Sequence, residues 1–192
     1  MRAARVTRLD GPDAVELADV DEPTGDGVVV EVHAAGVAFP DALLTRGLYQ
    51  YRPEPPFVLG AEIAGVVRSA PDDSAVRPGD RVVGLTMLTG GMAEVAVLSP
   101  DRAFKLPDNV SFEAGAGLLF NDLTMYFALT VRGRLRQGET VLVHGAAGGI
   151  GTSTLRLASV LGATRVIAVV SSQDKADMAT AAGATDVVLA EG

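Results

Sequence analysis

Cysteine and tryptophan are both absent from the 192 residues. Without cysteine there can be no disulfide, no thiolate zinc site and no cysteine nucleophile, so a secreted, disulfide-stapled design is excluded. Positive charge is scarce as well: 16 Lys and Arg stand against 24 Asp and Glu, for a net charge of −8. The basic residues are scattered singly and form no stripe that could follow a phosphate backbone, so nucleic acid is not an expected partner. Histidine occurs only at His33 and His144, without metal-ligand spacing, and both are read as structural. No apolar run reaches the roughly 18 residues that span a bilayer. The opening stretch, MRAARVTRLDGPDAVEL, lacks the apolar centre of a signal peptide. The expectation is a cytoplasmic protein with no membrane contact.

Hydrophobic residues, at 48%, are plentiful enough for a full core in one domain or two small ones. Up to about Leu106 the pattern is short strands between turn signals, as in an all-β barrel or sandwich. The candidates are Ala4–Leu9, Val15–Val20, Val28–Ala35, Glu62–Ser69, Arg81–Leu85, Met92–Leu98 and Ala103–Leu106. RPGDRV (77–82) sets a Pro-Gly turn before a strand, and the proline-rich YRPEPPF (51–57) reads as a stiff surface loop. After Pro107 helix signals take over: Ser111 heads one helix, and Asn121 or Asp122 could cap a second one through Leu129. Beyond lie strand (140–144), helix (149–161), strand (165–170), helix (173–182) and strand (186–189), a βαβαβ run that implies a parallel sheet. The boundary between an N-terminal domain, 1–120, and a C-terminal one, 121–192, is placed at Asn121.

The segment VLVHGAAGGIGTSTLRLASVLGA (141–163) breaks from an apolar strand into small residues and then into a helix. Ala146, Gly148 and Gly151 fit a dinucleotide fingerprint in which Ala replaces the first Gly. In a βαβ unit this turn brings Ala147, Gly148, Gly149 and Ile150 to the helix start, where backbone N–H groups and the helix dipole favour a pyrophosphate. A ligand-free glycine turn is the plain alternative. An NAD site would want an acid at the end of the next strand, but AVVSSQDKAD offers Ser171, Ser172 and Lys175, which suit a 2′-phosphate. NADPH is therefore the expected cofactor, with Asp174 as an unfavourable neighbour and a solvated Lys175 as the alternative. Ser153 does not sit in a G-x-S-x-G elbow, and serine hydrolysis has no support.

Four ordered motifs, GVAFPDALLTRGLY, PFVLGAEIAGVV, RPGDRVVG and HGAAGGIG, resemble the zinc-independent quinone oxidoreductases of the medium-chain dehydrogenase/reductase superfamily. The resemblance implies an α/β protein with an all-β N-terminal domain: a GroES-like β-barrel followed by the first half of a Rossmann doubly wound parallel sheet. It further implies hydride transfer from NADPH to a quinone or another conjugated carbonyl compound, without zinc. Zinc-dependent relatives have His where this chain has Ala61, and many relatives have Asn at the place of Ala38. Phe39, Asn121 and Thr124 match positions near the nicotinamide, although capping and a back-bonded helix hydroxyl would equally explain Asn121 and Thr124. Tyr49 matches the proton donor of related enoyl thioester reductases, and a protonated phenol suits that task; an amphipathic wall residue is the other reading. An enoyl thioester reductase and a non-catalytic NADPH-binding protein are the rival functions. Relatives continue through the second half of the Rossmann sheet, so a piece of a longer parent, homodimeric when intact, is expected.

Overall fold

The computed structural model describes residues 1–190, and the chain divides into two compact units, Met1–Phe120 and Asn121–Gly192. The N-terminal unit begins with β1 (Arg2–Val6), β2 (Val15–Asp19) and β3 (Val28–Ala35). The short helix α1 (Phe39–Leu44) follows, then β4 (Phe57–Val58), β5 (Glu62–Ser69), β6 (Arg81–Leu85), β7 (Val95–Leu98) and β8 (Ala103–Lys105). One sheet runs β2-β1-β4 and a larger one β7-β3-β5-β6-β8, with every pair antiparallel. In β3 the alternation places Val28 and Val30 in the core, with Glu31 and His33 exposed on the other face. His33 lies against the Phe112 ring, with centroids 4.4 Å apart.

The centre of this unit is β5, whose residues Glu62 to Gly65 and Val67 are buried. Ile63 and Val67 join Val28, Val30, Val82 and Leu98 in one cluster, while Ala64 faces the other way, into a cluster with Val83, Leu106, Ala116 and Leu119. The second cluster is closed by α2 (Phe112–Ala116), whose start is capped as the sequence suggests: Ser111 Oγ accepts the N–H of Ala114 at 3.1 Å. The Pro-Gly turn also forms, with Gly79 at φ 88° and the N–H of Asp80 donating to the Arg77 carbonyl.

Several local expectations are corrected. The first strand is β1, not Ala4–Leu9, because it must pair Val6 with Val15 and the chain then turns through Gly11 at φ 97°. The strand expected from Met92 begins at Val95; before it only Ala93 makes a single bridge, to Ala3. The proline-rich segment ends in β4, which pairs with β1 and buries Phe57. The helix α1, which alternation and Pro40 conceal, is held by Asp41: its buried carboxylate accepts N–H groups from Ala38 at 2.8 Å and Gly60 at 3.3 Å. Desolvation raises the Asp41 pKa, against the lowering effect of those backbone bonds.

Asn121 does not cap a helix. Helical backbone begins at Leu119 and continues to Arg132, as wide π turns at Leu119–Leu123 and Phe127–Arg132 around the α turn α3 (Thr124–Tyr126). The capping task falls instead to Glu62, whose Oε2 accepts the N–H groups of Leu119 and Phe120.

The C-terminal unit holds β9 (Thr140–His144), α4 (Gly149–Val160), β10 (Arg165–Val170), α5 (Gln173–Ala181) and β11 (Asp186–Leu189). The sheet is parallel, in the order β11-β10-β9. Val166, Ala168 and Val170 of the central strand are buried in one cluster with Leu155 and Ala158 of α4 and Ala176 and Ala179 of α5. Among the described residues no helix is long and apolar enough to cross a membrane.

Candidate cofactor-binding site

The parallel strands β9 and β10 end side by side, and the chain leaves β9 through His144 into Gly145, which has φ 62°. That left-handed conformation favours glycine, and no atom lies within 4 Å of where a Cβ would be, so the turn has open space beside it. Gly148 occupies the N-cap of α4 in extended conformation and supplies no side-chain cap. The first-turn N–H groups of α4, from Gly149 and Ile150 onward, consequently have no intrahelical acceptor. Gly151 serves packing: a Cβ there would collide with the Gly145 carbonyl oxygen and lie 2.6 Å from Ala146 C and Cα. Gly149 is crowded by a side chain, since its Cβ would fall 2.9 Å from Asn121 Nδ2.

A cleft of about 530 Å³ opens beside this turn. Gly145, Ala147 and Gly148 form one lip, Ser171 and Lys175 the opposite one, and Met178 also lines it. Lys175 Nζ donates to Ser171 Oγ at 2.9 Å, which holds the ammonium at the end of β10. Ser172 is the N-cap of α5, exposed and without a side-chain cap bond; it is not among the lining residues. Asp174 lies in the first turn of α5, one residue from the lysine.

Four of the residues singled out from the sequence, Ala147, Gly148, Ser171 and Lys175, thus share one cleft. Gly149 and Ile150 begin the adjoining helix, and Asn121 touches it at Gly149. Thr124 is exposed on α3. In the N-terminal unit, Phe39 opens α1 with 75% of its surface exposed. Tyr49 is half-buried against the cluster of Val6, Leu44, Phe57 and Leu59. Other cleft residues, among them His144, Gly145 and Met178, were not candidates from the sequence. His144 was set aside as structural, though its place at the carboxyl end of a parallel strand is where such folds bind ligands; Met178 carried no sequence signal. Among the described residues no group of three or more His, Asp or Glu is placed to hold a metal ion.

Strand, glycine turn and helix, with a cation at the neighbouring strand's end, define a dinucleotide-binding α/β unit in a chain that also carries an antiparallel β unit. Residues 24–108 match the model of the alcohol dehydrogenase GroES-like domain. The quinone oxidoreductase of Mus musculus is 35% identical over 191 residues, covering 97% of this chain and 57% of that protein. Its Homo sapiens counterpart is 36% identical over 166 residues, covering 84% and 50%. Among solved structures, a probable oxidoreductase from Mycobacterium abscessus superposes with TM-score 0.94 at 46% identity, covering all of this chain and 62% of that one. The quinone oxidoreductase of Thermus thermophilus, solved alone and with NADPH, gives TM-score 0.84 at 36% identity, covering 97% and 59%. Over nearly its whole length the chain is thus similar to quinone oxidoreductases of the medium-chain dehydrogenase/reductase superfamily. It spans little more than half the length of these relatives.

Proposed function

We propose that the intact protein is a zinc-independent oxidoreductase that uses NADPH to reduce quinones or related conjugated carbonyl compounds. In this reading residues 121–192 hold the nucleotide and residues 1–120 contribute to the substrate side. The observation that carries it is the Lys175–Ser171 pair facing the glycine lip across one cleft.

The residues fit the group. Gly145, Ala147 and Gly148 present no bulky side chain to the cleft, which leaves room for a pyrophosphate at the N-terminus of α4. The N–H groups of Gly149 and Ile150 would donate to its oxygens, and the helix dipole would favour the negative charge. Ser171 and Lys175 would supply a hydroxyl and an ammonium for a 2′-phosphate, in place of the carboxylate that a 2′-hydroxyl would call for, while Ser172, expected to join them, lies outside the lining. The family resemblance assigns Asn121 and Thr124, and in the other unit Phe39, to the nicotinamide. A bound NADPH supplies the hydride, and the protein's contribution is to orient it. The apolar packing of Tyr49 supports quinone reduction, in which water can deliver the proton, over an enoyl reduction that relies on a phenol.

The test is NADPH consumption by the intact protein with a quinone and, separately, with an enoyl thioester, each with and without EDTA. The expected result is quinone-dependent turnover that survives the chelator and falls no more than a few-fold in Tyr49→Phe. Turnover with the thioester alone, or loss of activity together with a stoichiometric metal, overturns the proposal.

A further inference from the structure

Lysine occurs only at Lys105 and Lys175 in the 192 residues, and no cysteine is present to compete with either as a nucleophile. Their surroundings differ. Lys105 Nζ lies 2.9 Å from Asp80 Oδ2, and this bond is the main cause that holds the Asp80 carboxyl below its ordinary pKa. Lys175 has no carboxylate partner among the described residues: its side chain bonds only the Ser171 hydroxyl, at 2.9 Å. It is also the third residue of α5, where the positive end of the helix dipole is a poor place for an ammonium. An amine must shed its proton before it can attack a carbonyl. The charge-assisted bond to Asp80 opposes that loss at Lys105. A hydroxyl does not, because it can reverse the bond and donate to the free amine.

Access to the amine follows from its place. Lys175 and Ser171 are both exposed and line the cleft beside the glycine turn, and a cleft that admits a dinucleotide is open in the intact protein. Among the described residues no acid lines it, and Ala147, Gly148 and Ala190 leave room for a small group beside the amine.

We propose that Lys175 is a site of acylation by small acyl thioesters, and that its modification switches off the preference of the cleft for NADPH. The free amine attacks the thioester carbonyl carbon; the N–C bond forms as the C–S bond breaks, and the departing thiolate takes up the proton the amine loses. The proposal rests on the cofactor reading above and adds a means of regulating it. The amide N–H of an acetylated lysine can still donate to Ser171, so the local structure is kept, but the positive charge offered to a 2′-phosphate is gone. The glycine turn and the start of α4, which serve the part of the nucleotide common to NADPH and NADH, are untouched. Bound NADPH shields the amine, so cofactor and acyl donor exclude one another.

The experiment treats the intact protein with N,S-diacetylcysteamine, a thioester that carries no nucleotide, in the absence and presence of saturating NADPH. Acetyl-lysine is mapped by peptide mass spectrometry, and NADPH and NADH are then titrated by fluorescence. Lys175 should be acetylated faster than Lys105, and NADPH should slow the reaction at Lys175 but not at Lys105. The modified protein should bind NADPH at least about tenfold more weakly, with NADH nearly unchanged. Lys175→Arg keeps a cation but has no amine to acylate, so treatment should alter neither of its affinities. Lys105 reacting as fast as Lys175, Lys175 reacting as fast with NADPH bound, or acetylated Lys175 with the affinities of the untreated protein each overturns the proposal alone. Failure of the untreated protein to bind NADPH overturns the cofactor reading, and the proposal with it.

Discussion

The carboxylate of Glu62 accepts the backbone N–H of Leu119 at 2.9 Å, and that of Phe120 at 2.8 Å, across 57 and 58 residues of sequence. One buried side chain at the start of a central strand thereby closes the first turn of the helical segment that leads to Asn121 and Thr124. Gly36 makes the room: a Cβ there would lie 2.6 Å from Glu62 Cγ and would strike the Ala116 carbonyl. Glu62→Ala orphans both N–H groups and should cost about 3 kcal/mol. Gly36→Ala should disturb the same contact and be similarly damaging. Urea unfolding of each variant measures this, and a loss near zero for both would remove Glu62 from the account.

Gly151 and Gly149 make contrasting demands. A Cβ at Gly151 meets backbone that cannot move without separating α4 from the glycine turn, whereas at Gly149 it meets the end of the Asn121 side chain. Overpacking of the first kind costs about 1–3 kcal/mol. Gly151→Ala should therefore lower the melting temperature clearly and Gly149→Ala only slightly, as thermal unfolding by circular dichroism would show.

Ser153, on α4, is fully buried and its Oγ has no hydrogen-bond partner among the described residues. An orphaned buried hydroxyl is a liability of about 1–3 kcal/mol. Ser153→Ala is expected to match or exceed the wild type in stability, and a marked loss in denaturant unfolding would contradict the geometry.

Acid stability carries two opposite signatures. Arg165 bonds both carboxylate oxygens of Asp186, at 2.8 and 2.9 Å, and with the Thr185 hydroxyl it holds that group at about 2, below the ordinary 3.8. The folded value is the lower one, so the contribution is present above about pH 4 and is lost as pH falls toward about 2. Because the pair is exposed, its size is small. Asp41 works the other way: burial raises its pKa, so its contribution declines as pH rises from the ordinary carboxylate value through the folded one. Melting curves from about pH 2 to about pH 6 should show Asp186→Asn below the wild type at the upper end and converging with it at the acid end.

Much of this fold is legible in the sequence because its periodicities are local. The bounds of Val28–Ala35, Glu62–Ser69, Arg81–Leu85, Arg165–Val170 and Asp186–Leu189 follow from β-branched runs between turn residues. What escapes reading depends on distant partners. The helix α1 is secured by the N–H of Gly60 reaching Asp41 across 19 residues, and the wide turns from Leu119 are capped by a glutamate that looks like an ordinary strand residue. In the cleft, the glycine lip and the Ser171–Lys175 lip are local motifs and readable. His144 and Met178 join them only because β9, β10 and α5 converge there.

The central claim is that this cleft distinguishes a 2′-phosphate from a 2′-hydroxyl, and the ratio of NADPH to NADH affinities of the intact protein, measured by fluorescence titration for wild type and Lys175→Ala, tests it most directly. The wild type should favour NADPH by at least about tenfold, or about 1.4 kcal/mol. Lys175→Ala should weaken NADPH while leaving NADH nearly unchanged. Equal affinities in the wild type, tighter NADH, or a parallel loss for both nucleotides in the variant would contradict it.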